Sequence, residues 1–339
     1  MIWHQGNIGE HSNRRPFGIT CPRDGSLNRL SVSTSWNARR LDRGADVVDS
    51  ILSLGIGGLE LSYNLERAVA KEAAARARER GAPITSLHHP CPMPQGFSKE
   101  QASGEIYNPA SLEEEERSLA EKSLLETLDF AEETGVRIVV LHAGNIPDAR
   151  ESESEMAELF KRGDEAWIGL RDELLRERER RIAKHIDGLL RVLDKVIPRY
   201  ERAGISLAIE NRYYITDIPS LEETDMLLHR YPPLLYWHDT GHGRARACWG
   251  LEGEYDALNE FRDRLAGYHL HDAEGARDHR APGRGDIDFS KVFRLGGTEG
   301  KALVLEPGRW VEEDDLKRGM VLIEDILARC VVRDPRGGL

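Results

Sequence analysis

Short apolar runs alternate with longer amphipathic stretches along nearly the whole chain. RLSVSTSW at 29–36 interleaves apolar and hydroxylic residues with the period of a strand, and Val47, Val48, Ile51, Leu52 and Leu54 then form one side of a helix over 45–54. GGLELSY at 57–63 is a second strand, and the Ala-, Glu- and Arg-rich stretch 66–80 is a strong helix that Gly81 ends. PITSLHH at 83–89 is a third strand, breaking off into the proline-rich CPMPQG. A long helix covers 110–134, its glutamates crowded into the first turns where they favour the helix dipole, before Gly135 and the apolar VRIVVLHAG at 136–144. From 146 to 179 the charge is dense and no strand pattern occurs, which fits either a helix or lid over the fold or a solvated helical extension. Helix resumes over 182–203, with Ile182, Ile186, Leu189, Leu190, Leu193 and Val196 on one side. Strands ISLAIENR (205–212), LLYWHDTGH (234–242), LAGYHLHD (265–272) and KALVLEPGR (301–309) follow, with helices over 221–229, 255–264, 288–295 and 316–329.

Eight strands separated mostly by helices, in about 280 residues, are close to the ~250 residues typical of a (β/α)8 barrel. A doubly wound sheet alternates in the same way, so the polar residues must decide. His88 and His89, His142, Glu210, Asp239, His269 and His271, and Glu306 each stand at the C-terminal end of an expected strand. A barrel gathers those ends into one mouth, whereas an open sheet would spread them over roughly 30 Å at ~4.8 Å per strand. The expected class is α/β, a single-domain (β/α)8 TIM barrel over 29–330. It carries a charged insertion around 146–180 and a polar, turn-rich N-terminal extension over 1–28.

Composition narrows the partners. The 339 residues carry a formal net charge of -12, which offers no electrostatic footprint for nucleic acid or an anionic membrane. No apolar run is long enough to span a bilayer, and the first twenty residues lack the apolar core of a secretory signal. The four cysteines (Cys21, Cys91, Cys248, Cys330) include no C-x-x-C pair, against both a thiolate zinc site and a disulfide framework. A cytoplasmic protein is expected.

The densest chemistry lies at 265–288, where His269, His271, His279, Asp272 and Asp278 precede a Pro-Gly-x-Gly turn. Two residues apart on a strand, His269 and His271 face one way, and adjacent buried imidazoles call for a partner, most often a metal. Glu210 in LAIE and Glu306 in LVLE are carboxylates within apolar strands. One alone fits an arginine pair across the core; two, with Asp239 and histidines at matching depth, are better explained by a divalent cation. Two Glu, one Asp and one imidazole form a hard ligand set that suits Mn²⁺ well, and also Co²⁺, Mg²⁺ or Zn²⁺. His242, three residues after Asp239, reads either as a second ligand or substrate contact at the mouth, or as a helix-start histidine.

As a set, SLHHPCPMP, VVLHAG, LAIENR, YWHDTGH, HLHDAEGARDHRAPGRGDIDF and LVLEPGR resemble the xylose isomerase-like barrel superfamily over roughly residues 30–327. That group includes sugar (phosphate) isomerases and epimerases and endonuclease IV (the AP endonuclease family 2). The resemblance to the epimerases implies one divalent metal held by Glu210, Asp239, a histidine of HLHD (His269 or His271) and Glu306. It also implies that Glu210 and Glu306 act as acid and base, moving a proton at the carbon beside a carbonyl through a metal-stabilised enediolate. By the same resemblance His242 and His279 contact substrate or extra metal, and Arg212 binds hydroxyls or a phosphate. The partner implied is a small carbohydrate, with homo-oligomers common among relatives. Endonuclease IV, which holds three zinc ions, supplies the alternative: His88, His142, His242, Asp278 and His279 match its further ligands, implying a hydrolase with two or three Zn²⁺. A polyol dehydratase is a third reading.

Overall fold

The computed structural model describes residues 30–332, so the expected extension over 1–28 lies outside the described residues. Eight parallel strands close into a barrel: β1 (Leu30–Ser33), β2 (Gly58–Leu61), β3 (Ile84–His88), β4 (Ile138–Leu141), β5 (Ser206–Glu210), β6 (Leu235–Asp239), β7 (Leu265–Leu270) and, after a small hairpin of β8 (Asp272–Glu274) and β9 (Arg277–Arg280), β10 (Ala302–Leu305). Strand neighbours follow chain order around the ring, and β10 closes it between β7 and β1. The helices are α1 (Gly44–Leu52), α2 (Arg67–Glu79), α3 (Glu114–Thr134), α4 (Arg150–Lys161), α5 (Ala166–Ala203), α6 (Leu221–Arg230), α7 (Thr240–Cys248), α8 (Asp256–Phe261), α9 (Phe289–Gly296) and α10 (Glu313–Val332). Among the described residues no helix is long and apolar enough to cross a membrane.

Strand periodicity explains what faces the axis. Ile138, Val140, Ala208, Trp237, Ala266, Ala302 and Val304 fill the barrel interior as one buried group. Continuing the two-residue period past these positions carries His142, Glu210, Asp239 and Glu306 to the same inner face at the strand ends. The larger apolar core lies between the strands and the helices. Helices α3 and α5 each end on a glycine with positive φ, Gly135 at 76° and Gly204 at 66°, where a residue bearing Cβ would be strained.

Two local expectations change, and a third, left with two readings, resolves. The sixth strand stops at Asp239 rather than running to His242, because the Asp239 side chain accepts the His242 N–H at 2.7 Å and caps α7. The seventh strand stops at Leu270 and the chain turns into the β8–β9 hairpin. There the Asp272 carboxylate accepts backbone N–H groups of Ala273, Gly283, Gly285 and Ile287, tying down the Pro-Gly-x-Gly turn.

The charged segment, thirdly, is α4 together with the first half of α5, which runs unbroken into the helix expected at 182–203. It is not a solvated extension. Met156, Ala157 and Leu174 bury themselves against Ile215, Ala245, Trp249 and Ala276 in a satellite core. Arg178 also clamps Glu223 at 2.7 Å and the Ile215 carbonyl at 2.8 Å. This packing lays α4 across the barrel mouth.

Candidate functional site

Glu210 ends β5, Asp239 ends β6, His269 lies near the end of β7, and Glu306 follows β10. Each offers one ligand atom, and those atoms all lie within 4.8 Å of one another. His269 is the hub: its Nδ1 is 3.0 Å from Glu210 Oε1 and 3.2 Å from Glu306 Oε2. All four side chains are buried.

The electrostatics follow from that crowding. Burial alone would raise the Glu210 carboxyl, but the His269 imidazole and a hydrogen bond from His142 hold it well below the usual carboxylate range. Burial would lower His269, yet Glu306, Glu60 and Glu210 push it well above an ordinary histidine. Asp239 is likewise lowered: burial opposes ionisation, and His242 and His271 outweigh it. Three buried carboxylates crowd around this one imidazole. A divalent cation fits this donor set, with oxygen ligands dominating and one imidazole nitrogen aimed inward.

The structure separates the two histidines that the sequence leaves equivalent. His269 belongs to the cluster of ligand atoms. His271 stands behind it: its Nδ1 accepts the His279 backbone N–H at 2.8 Å, so its Nε2–H donates to Asp239 Oδ2 at 2.8 Å. Both ring nitrogens are thereby engaged, which makes His271 a support for Asp239 rather than a free donor.

The remaining expected residues line one cavity of ≈460 Å³: His88, His142, Arg212, His242 and His279, with Glu306 at its floor. His88 Nδ1–H donates to the His89 carbonyl at 2.9 Å, leaving Nε2 to face Glu210 Oε2 at 3.5 Å. His142 is held well below the usual histidine range, first by burial and then by Arg212; the neutral ring donates from Nε2 to Glu210 Oε2 at 3.1 Å. His242 occupies the first turn of α7, as a helix-start histidine, and also lines the cavity. Arg212 is buried and hydrogen-bonds Glu105, while its Nε and Nη1 have no partner among the described residues. His279, half-exposed in the hairpin with φ of 55°, pairs with Asp278 at 3.1 Å.

Sequence reasoning passed over several residues. Glu60 in GLEL is a fully buried carboxylate inside an apolar strand, the same signal that marks Glu210 and Glu306. Gly104 lies so close to His142 and His88 that a Cβ there would be 2.7 Å from His142 Nδ1. Ser154, Glu158 and Lys161 reach the cavity from α4. Nothing in a charged amphipathic helix distinguishes the side that will face a pocket.

The family model for the xylose isomerase-like TIM barrel matches residues 48–300. No curated protein matches the chain. Among solved structures it is similar to a D-tagatose 3-epimerase-like protein, with 16% identity and a TM-score of 0.65 over 90% of this chain and 99% of the other. It is also similar to a 3-keto-D-glucoside 4-epimerase from E. coli, at 17% identity and a TM-score of 0.58, covering 90% and 99%. An L-ribulose 3-epimerase shows 17% identity and a TM-score of 0.58, covering 90% and 94%. At these identities the likeness is one of fold.

Proposed function

The chain belongs to the xylose isomerase-like TIM barrel family, and from that premise we propose that it is a divalent-metal-dependent isomerase or epimerase of a sugar or sugar phosphate. The observation that carries the reading is the meeting of Glu210 and Glu306 at one imidazole nitrogen, 3.0 Å and 3.2 Å away, in a site that also holds Asp239. Glu210, Asp239, His269 and Glu306 would hold the ion, Mn²⁺ by donor chemistry, with Co²⁺, Mg²⁺ and Zn²⁺ as alternatives. When bound, the metal polarises the substrate carbonyl, which acidifies the neighbouring carbon.

The chain's own groups do the rest. Strands β5 and β10 are separated in the ring by β6 and β7, and Glu210 and Glu306 would flank a substrate bound between these strand ends. One glutamate, as the carboxylate, takes the proton from the carbon beside the carbonyl; the other, as the carboxylic acid, delivers one to the opposite face or the adjacent carbon, and exchange with solvent resets both. Arg212 lines the cavity and would bind substrate oxygens, and a guanidinium serves hydroxyls and a phosphate alike. His88, His142, His242 and His279 line the same cavity and would position hydroxyl groups. The sugar epimerases among the fold neighbours, matched over nearly their whole length, support a carbohydrate substrate.

A second reading, a multinuclear hydrolase, has one observation in its favour. His88 with Glu210 and His269, and His242 with His271 and His279, form two further groups of converging ligand atoms. The engaged nitrogens of His271 weaken the second of these.

Metal content and solvent label together decide. One ion per chain, deuterium from heavy water incorporated at a carbon of a ketose or ketose phosphate, and loss of about 10²–10⁴ in kcat for Glu210→Gln and Glu306→Gln are expected. Two or three zinc ions with hydrolysis of a phosphodiester would overturn the isomerase in favour of the hydrolase.

A further inference from the structure

We propose that Glu60 is a positioning residue that fixes the orientation and tautomer of His269 and thereby sets the affinity of the centre for its metal. The inference rests on the reading of Glu210, Asp239, His269 and Glu306 as metal ligands.

Glu60 stands on β2 and reaches His269 on β7 across the barrel, 209 residues away in sequence. Its carboxylate spans the edge of the imidazole opposite the ligand cluster, with Oε2 at 3.1 Å and Oε1 at 3.3 Å from Nε2. It is fully buried, and among the described residues the only ion pair it makes is this one. A buried carboxylate is costly unless a partner compensates it, and His269 is the charged partner that Glu60 has. The carboxylate is itself held in place, since Ser86 Oγ–H donates to Oε2 at 2.7 Å and Ser86 is its register partner on β3.

The ring is confined from other directions too. His88 stacks on it at 5.5 Å with an interplanar angle of 5°, and Trp237 meets it edge-on at 5.0 Å. With Nε2–H donated to Glu60, the nitrogen that would give up its proton to a metal is Nδ1, which is aimed at Glu210 and Glu306. A negative acceptor behind a ligating imidazole raises its basicity and prevents the ring from flipping or exchanging tautomer.

The test is Mn²⁺ affinity of the full-length, chelator-stripped protein by isothermal titration calorimetry, with the bound Mn²⁺ followed by electron paramagnetic resonance. Glu60→Gln preserves the shape and an accepting oxygen but removes the charge. It is expected to weaken Mn²⁺ binding about 10–100-fold with unchanged stoichiometry. Ser86→Ala, which only loosens Glu60, should weaken binding in the same direction by less, and it carries the test if Glu60→Gln does not fold. Circular dichroism and melting of the stripped proteins separate this role from a purely structural one, which would change stability and leave the affinity of folded protein alone. Affinities of both folded variants within twofold of wild type would overturn the role of Glu60 only. Wild-type protein that binds neither Mn²⁺, Co²⁺ nor Zn²⁺ would overturn it together with the metal centre.

Discussion

Replacing Glu306 by glutamine separates a metal centre from a structural ion-pair cluster, because the two predict opposite signs. In metal-free protein Glu306 faces two other carboxylates, Glu210 and Asp239, through atoms at most 4.8 Å away. At an effective dielectric of about 20, each such pair repels by about 3.5 kcal/mol at 4.8 Å. Attraction to the His269 imidazolium at 3.2 Å returns about 5 kcal/mol on the same scale. Counting these groups alone, the balance is a net repulsion of about 2 kcal/mol, which the pull of His88 and His279 on Glu306 reduces and which Glu306→Gln relieves. With an unfolding entropy of ~2.1 cal/mol/K per residue over about 300 ordered residues, that raises the melting midpoint by up to about 3 °C. Wild-type protein given Mn²⁺ at a hundredfold its Kd should gain about 2.7 kcal/mol, or about 4 °C, and the variant less than half of that. If Glu306 were instead kept as the partner of a structural imidazolium, its loss would cost about 3–5 kcal/mol and lower the midpoint by about 5–8 °C. Scanning calorimetry of chelator-treated protein with and without MnCl₂ reads both quantities. A lowered midpoint in the variant with an undiminished manganese increment would refute the reasoning.

Gly104→Ala should lower kcat/KM by about 10–100-fold while moving the melting midpoint less than about 5 °C, because the added Cβ would fall 2.7 Å from His142 Nδ1 and 2.9 Å from His88 Cε1 and lift the loop off both rings. Unchanged steady-state kinetics would show that this contact has no part in the site. His279 provides a pH test in metal-free protein: burial opposes its charge, but Asp278 overrides that and raises it to about 10. Since the folded value is the higher one, the stabilisation is complete below about pH 6.5 and disappears as pH climbs through about 10. Urea unfolding at pH 7 and pH 10 should therefore show a smaller loss of stability in Asp278→Asn than in wild type, and equal losses would remove this pair from the account.

Much of the architecture is legible in the chain because strand and helix periodicities are local and need only a window of residues to reveal them. The position of carboxylates at the ends of apolar strands adds the barrel mouth, since a buried Glu in LAIE or LVLE has few ways to be accommodated. The strand ends were less legible. Asp239 caps a helix that begins within the expected strand, and an aspartate before Thr-Gly-His has no local feature that selects a cap over a continued strand. The charged segment gave charge without direction, and only its packing against Trp249 and Ile215 turned α4 over the mouth.

Local pattern in the chain accounts for the alternation of strands and helices, the ring of polar residues at strand ends and the hard, oxygen-rich character of the donor set. Only closure of the barrel selects which imidazole keeps a nitrogen aimed into the ligand cluster. His269 and His271 are equivalent in a two-residue period, and they differ only because Glu60 arrives from the far side of the barrel behind one while the hairpin N–H of His279 takes a nitrogen of the other. A tautomer is chosen by the groups that surround a ring. Those groups come from strands distant in sequence, which meet only when the barrel closes.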